Sequence, residues 1–305
     1  MKILYDVIII GGGPAGLNAA VVLGRCNRSV LLFDHGKQRN RYSHGMHNFL
    51  TQDNILPAEF IEKSRKEVKK YGVTLLNVQV NHAHKMNKKS FEVTTADKRK
   101  FHSKKLILAT GLTDILPEIK GAENFYGKSM FHCPYCDGWE YSGKKLAVYS
   151  KSKAGIDLAM TLTTWTNDIT IFTDGNKYGN KQQLQLLKFK NINIISGKIK
   201  SFEGVKGKIK YLNMENNDTH FCEALFFSNG YKVQCDLVES LGCIMDKKSV
   251  ALTNKSQQTN IYGLYVVGDA AKDMHFVVVA AAEGAKAAVY INKELLQEKI
   301  DSLVR

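Results

Sequence analysis

Two sulfurs separated by two residues lie in the run Cys133-Pro134-Tyr135-Cys136-Asp137-Gly138, a spacing at which a small disulfide can close and reopen. If the pair opens a helix, the helix dipole favours a thiolate there, and reversible thiol exchange follows. A metal site would need two more ligands; His132 is adjacent, but the chain has no second pair at this spacing, which favours redox chemistry over zinc. Asp137 would shuttle the proton that a leaving thiolate takes up, provided burial raises its pKa toward neutrality; its other reading is a helix cap. His132 would either hold a thiolate by charge or pack beside the loop. Cys26, Cys222, Cys235 and Cys243 are scattered and read as small hydrophobes.

A second constellation stands near the amino end. Gly11-x-Gly13-x-x-Gly16, with Pro14 and Ala15 inside it, lies between an apolar run and a helical pattern. Side chains at those glycines would keep a pyrophosphate from the helix N-terminus. Asp34 follows Gly16 by 18 residues, where a carboxylate accepts both hydroxyls of an adenosine ribose. The glycines alone would also suit a tight turn; strand, triplet, helix, strand and acid in order point to a dinucleotide, without distinguishing FAD from NAD.

The elements that must position these groups follow from periodicity. Strand Tyr5 to Ile10, helix Pro14 to Leu23 and strand Ser29 to Phe33 make a β-α-β unit. A helix from Pro57 to Tyr71 and strands at Val73 to Val80, Phe91 to Thr95 and Leu106 to Ala109 follow, then a linker from Gly111 to Gly121. The pattern restarts with strand Lys145 to Tyr149, helix Gly155 to Trp165 and strand Asp168 to Phe172, and continues through strands Asn191 to Ile195, Lys208 to Leu212 and Ala224 to Phe227. Strand Tyr262 to Val267 and a helix over Ala280 to Leu296 return to the first unit. The expected fold class is therefore α/β, with two Rossmann-like three-layer ββα domains, the second inserted into the first. The expected spans are 1–114, 115–246 and 247–305.

A chain of 305 residues, 44% of them hydrophobic, is long enough for two cores. No run of about 18 apolar residues is present, so a soluble, cytoplasmic protein without a membrane partner is expected. The net charge of +14 would raise encounter rates with nucleic acid, membrane or an acidic protein. Its lysines are spread along the chain without the aromatic interleaving of a nucleic-acid module, which favours a solvated surface and leaves an acidic partner open.

The order of motifs over nearly the whole chain resembles the low-molecular-weight thioredoxin reductases. The resemblance rests on Leu106-Ile107-Leu108-Ala109-Thr110-Gly111, on Val267-Gly268-Asp269, and on the cysteine run itself. It implies FAD as cofactor, with Thr110, Gly111, Gly268 and Asp269 in its site and Asp269 at the ribityl and phosphate region. Gly36, Gln38, Asn48 and Val80 match further flavin-domain positions. It also implies that Cys136 is the flavin-proximal sulfur, that Cys133 attacks the substrate disulfide, that Asp137 is the general acid, and that the protein is a homodimer acting on a thioredoxin-like protein or a small dithiol.

Two departures stand out against that family. Its second glycine turn is replaced by Ser150-Lys151-Ser152-Lys153-Ala154-Gly155, and its arginine pair for a 2′-phosphate by Thr173-Asp174-Gly175. Side chains now crowd the pyrophosphate path, and a carboxylate repels the phosphate. Where the family carries Arg-Gln, this chain has His275-Phe276, which would either meet the flavin or pack against the first helix. The expectation is a disulfide or dithiol oxidoreductase independent of NADPH, exchanging electrons with a ferredoxin or with dioxygen. An NAD(P)H-dependent reductase and a flavin-binding redox sensor without turnover are the alternatives.

Overall fold

The computed structural model describes residues 3–87, 90–233, 236–247, 250–271 and 274–304. In the first unit, β1 (Leu4–Ile10), α1 (Pro14–Arg25), β2 (Val30–Phe33), α2 (Pro57–Lys70), β3 (Thr74–Leu76), β4 (Val80–Asn87), β5 (Ser90–Thr95) and β6 (Lys100–Leu108) follow in order. The linking strand β7 (Leu112–Asp114) and helix α3 (Ala122–Phe125) lead to β8 (Met130–Phe131) and the one-turn helix α4 (Pro134–Asp137). The second unit continues with β9 (Leu146–Tyr149), α5 (Ala154–Leu162), β10 (Ile169–Phe172), α6 (Lys181–Phe189), β11 (Asn193–Ile195), β12 (Ile199–Val205), β13 (Lys208–Met214), β14 (Thr219–Phe221) and β15 (Ala224–Phe227). The chain returns through β16 (Tyr231–Val233), α7 (Leu237–Ser240), β17 (Leu264–Val266) and α8 (Val277–Val304).

The first sheet runs β3-β2-β1-β6-β5-β4, with β17 also paired to β6. Strand β6 pairs parallel with β1 on one edge and serves two partners on the other: its first half pairs antiparallel with β5 and its last three residues pair parallel with β17. Alternation along these strands divides the core. Val7, Ile9, Ile107 and Tyr265 face α1 and α8, whereas Ile8, Ile10, Leu106, Leu108 and Val266 face Phe91 and Val93. In the second unit the parallel sheet β11-β10-β9-β15-β8 lies between α5 with α6 and the antiparallel sheet β12-β13-β14. That arrangement is the expected Rossmann-like three-layer form.

Several boundaries differ from the sequence reading. The linker at 111–121 contains β7, which pairs with β16, so the two crossings between units form one ribbon. Leu237, Val238 and Cys243 pack with Ile8 and Leu31, which places the return to the first core ahead of residue 246. The expected strand over 73–80 is interrupted between β3 and β4. Helix α6, absent from the sequence reading, opens with a capping box of Asn180 and Gln183, a readable signal. Helix α8 runs past Leu296 because buried Lys105 pairs with Glu294 and Glu298 on its later turns.

Helices α1 and α8 cross closely at Gly284, where an added Cβ would sit 2.0 Å from the Ala15 carbonyl oxygen. That crossing sets the position of the turn that opens α1. Gly284→Ala is expected to destabilise the fold by about 2 kcal/mol through overpacking. Thermal or denaturant unfolding of the variant checks this, and a loss below a few tenths of a kcal/mol contradicts the crossing.

Candidate functional site

The turn after β1 is bare backbone held at van der Waals limits. Gly11 has φ +115°, and a Cβ there would meet the Ala109 carbonyl oxygen at 2.1 Å. A Cβ on Gly16 would lie 1.9 Å from the Gly11 oxygen, and one on Gly12 would lie 2.4 Å from the Asp34 carboxylate. Gly13, by contrast, opens onto free space, caps α1 without any side-chain hydrogen bond, and leaves the helix N–H groups facing the cleft. Such a cradle fits a pyrophosphate. Thr110 adds a buried hydroxyl with no partner in the protein, and it lines the same cleft. Both observations fit a dinucleotide such as FAD.

The cleft runs from the first glycine turn to the cysteines. Gly11, Gly13, Pro14, Ala15, Asp34, Gln38, Thr110, Gly111, Gly268, Asp269, His275 and Phe276 line it, together with Cys136 and Asp137. Five expected residues are placed elsewhere. Gly16 is a packing glycine beneath the turn. Gly36 donates its N–H to Asp34 Oδ1 at 2.9 Å. The Val80 side chain is buried in the core with Phe91 and Val93. Asn48 donates its amide to the Tyr135 carbonyl at 2.9 Å, tying the first unit to the cysteine loop. Cys133 lies outside the lining, on the far side of its bond with Cys136.

Asp34 is buried and fully engaged. Besides Gly36, it accepts from Gln38 Nε2 at 3.0 Å and pairs with Arg65. A ribose diol would share or displace these donors.

Cys133 and Cys136 form a disulfide with Cα atoms 5.3 Å apart. Helix α4 is only one turn long, so its dipole contributes less than a full helix would. Asp137 stands in the same turn; burial, with help from Glu140, pushes its carboxyl up to about 7. His132 is driven the other way, down to about 4, by burial and by the Arg39 charge. It is neutral near pH 7 and cannot hold a thiolate by charge. Burial also pushes the Cys222 thiol up to about 12 and raises that of Cys243, which suits inert packing; Cys26 is exposed, and Cys235 lies outside the described residues.

Sequence reasoning missed a buried charged network beside the cleft. Arg39 pairs with Asp114 at the end of β7 and donates to Asp269 at 3.0 Å. Tyr126 also donates to Asp114, and His132 Nδ1 stands 3.5 Å from it. Burial alone would raise the Asp114 carboxyl, but Arg39, His132 and Tyr126 hold it below the ordinary carboxylate range. These residues come from separate loops with no periodicity or motif, so only the fold brings them together.

The second turn is built differently. Ser150 is fully buried; its hydroxyl donates toward the carbonyls of Ser152 and Ser228 at 3.1 and 3.3 Å and accepts from the Ser152 N–H at 3.3 Å. Ser152 Oγ in turn accepts from the Ala154 N–H at 3.4 Å. Tyr178 closes over the turn, donating to the Ser150 carbonyl at 3.0 Å. Asp174 accepts from the Tyr149 hydroxyl at 3.0 Å and lies 3.3 Å from Lys151 Nζ. The turn's own side chains therefore occupy the N–H groups of Ser152 and Ala154. Among the described residues no cluster of three or more histidine, cysteine or acidic side chains is arranged to hold a metal, and no helix is long and apolar enough to cross a membrane.

A family model described as pyridine nucleotide-disulphide oxidoreductase matches residues 5–284. A protein from Arthroderma benhamiae named "Probable thioredoxin reductase" is 31% identical, covering 98% of this chain and 82% of its own length. Thioredoxin reductase of Bacillus subtilis is 26% identical, with 98% of each chain covered. The crystal structure of HlmI superposes with a TM-score of 0.96 at 29% identity, covering 100% of this chain and 97% of that one.

Removing the unpaired hydroxyl tests the cleft. Thr110→Val is expected to weaken FAD binding roughly tenfold, the worth of one hydrogen bond in a buried site, in a fluorescence titration of apoprotein. Unchanged affinity would remove Thr110 from the cofactor site. Asp137→Asn is expected to stabilise the protein near pH 8 and not near pH 3. The folded carboxyl keeps its proton to about 7 while the unfolded one releases it near the ordinary value of 3.8, so wild-type stability falls as pH rises through that window.

Proposed function

Because the chain belongs to the pyridine nucleotide-disulphide oxidoreductase family and is an FAD-binding, thioredoxin reductase-like disulfide oxidoreductase, we propose that it exchanges dithiols and disulfides at Cys133 and Cys136 without drawing electrons from NADPH. The single observation that carries this reading is the second turn, whose N–H groups are taken by Ser150 and Ser152 and whose mouth is closed by Tyr178. The first turn keeps its glycines and an open cradle. One nucleotide site is retained and the other is filled.

In the oxidising direction, a substrate thiolate attacks Cys133 Sγ, the bond between the cysteines breaks, and Cys136 leaves as a thiolate. The second substrate thiol then attacks the substrate sulfur of the mixed disulfide, and Cys133 leaves. The substrate loses two electrons and two protons, and the cysteine pair gains them; the reverse sequence reduces a substrate disulfide. Asp137, protonated below about 7, donates to a leaving thiolate and takes the proton back in the reverse step. FAD, when bound, supplies or accepts the electron pair beside Cys136, the sulfur that lines the cleft. The substrate is a thioredoxin-like protein or a small dithiol. The flavin's other partner is a ferredoxin-like acidic carrier, which the net charge of +14 would attract, or dioxygen. Asp269, His275 and Phe276 would hold the flavin along the same cleft wall.

Two measurements test the reading. Under anaerobic conditions, dithiothreitol is expected to bleach the flavin of the wild type but not of Cys133→Ser, which should still bind FAD; equal bleaching would sink the exchange assignment. In calorimetric titration, NADPH is expected to give no saturable heat into the millimolar range, roughly −4 kcal/mol or weaker. A micromolar dissociation constant would overturn the claim about the second turn.

A further inference from the structure

His47 stands between two carboxylates that belong to different units. Its Nδ1 lies 3.5 Å from Asp53 Oδ2 within the loop that joins β2 to α2, and its Nε2 lies 3.5 Å from Glu140 Oε1, just past the cysteine turn. Glu140 follows Asp137 by three residues and is the charged neighbour that raises the Asp137 carboxyl beyond what burial does. His47 and Asp137 both line the flavin cleft. The hydrogen bond that Asn48 Nδ2 donates to the Tyr135 carbonyl fixes the same loop against the cysteine turn, so the contact with Glu140 is held in place by a neighbouring residue.

We propose that His47 is a positioning residue for proton transfer at the cysteine pair: its imidazolium form engages Glu140, the carboxylate three residues past Asp137, and so tempers the field that Glu140 exerts on the acid serving the sulfurs. The proposal rests on the exchange chemistry assigned to Cys133 and Cys136. The groups that face this pair are Asp53 and Glu140 on His47, and Glu140 and Tyr141 beside Asp137. Among them only His47 can carry positive charge, and it comes from the first unit whereas Glu140 and Asp137 come from the second. The contact therefore joins the first unit to the cysteine turn at the flavin cleft, which Cys136 also lines.

The sign follows from electrostatics. With His47 removed, the full charge of Glu140 acts on Asp137 and favours its protonated form; with Glu140 neutralised, the carboxyl ionises more readily. The test is the pH dependence of single-turnover reduction of the cysteine pair by dithiothreitol in flavin-loaded enzyme, corrected for the thiolate fraction of the reagent. The wild type is expected to lose rate as Asp137 deprotonates. His47→Gln should move that limb to higher pH and Glu140→Gln to lower pH, each by about half to one pH unit, or roughly three- to tenfold in rate on the limb. Asp137→Asn should abolish the limb. Shifts in the same direction, or no shift in either variant while the Asp137→Asn limb is lost, would overturn the role of His47. Absence of any reduction of the wild-type pair would instead refute the exchange reading on which the proposal rests. Flavin content measured on each variant separates a changed pH profile from a lost cofactor.

Discussion

A strand-to-helix turn offers its backbone N–H groups to a pyrophosphate only where no side chain reaches them first. This chain contains that turn twice, on two similar sheets, and resolves it in opposite ways. After β1, glycines 11, 12 and 16 sit against backbone or carboxylate at distances no Cβ would tolerate, and Gly13 faces open space. After β9, two serine hydroxyls fold back onto the amides and Tyr178 covers them. The placement of the cleft, the cysteines and the return of the chain through β16 all follow from the same inserted arrangement, whereas the two turns differ in the side chains that reach their amides.

The cysteine pair is positioned by contacts that cross between the two units. Asn48 reaches the carbonyl of Tyr135, Arg39 joins the end of β7 to Asp269, and Tyr126 and His132 close on Asp114 from the second unit. The partly buried guanidinium of Arg39 is tolerated because its single charge is met by two carboxylates through three hydrogen bonds; removing it would leave Asp114 and Asp269 uncompensated. The same enclosure drives Asp137 upward and His132 downward, since burial penalises whichever form carries charge. One environment thus makes an acid available near neutral pH and silences a base.

Much of this was legible in the residues themselves. The first glycine turn, Asp34, the cysteine pair and the replaced second turn are local patterns whose chemistry depends on neighbours within a few positions. Unbroken apolar runs in β1, β6 and β9 likewise announce strands buried on both faces. What escaped was assembled over distance. Arg39 and Asp114 are 75 residues apart, and the contact of Asn48 with the Tyr135 carbonyl spans 87. The ribbon of β7 with β16 is hidden because three-residue strands carry too little periodicity to be seen. Helix α8 outran its pattern because its later turns are held by Lys105, a residue of a distant strand.

The central claim is that the flavin communicates with thiols and not with a nicotinamide. Stopped-flow spectroscopy of the holoenzyme under anaerobic conditions tests it most directly, by following flavin absorbance after mixing in parallel with a dithiol and with NADPH. The account predicts bleaching by the dithiol within the dead time to seconds, and no bleaching by NADPH at concentrations that saturate reductases with an open second turn. Prompt reduction by micromolar NADPH would contradict it.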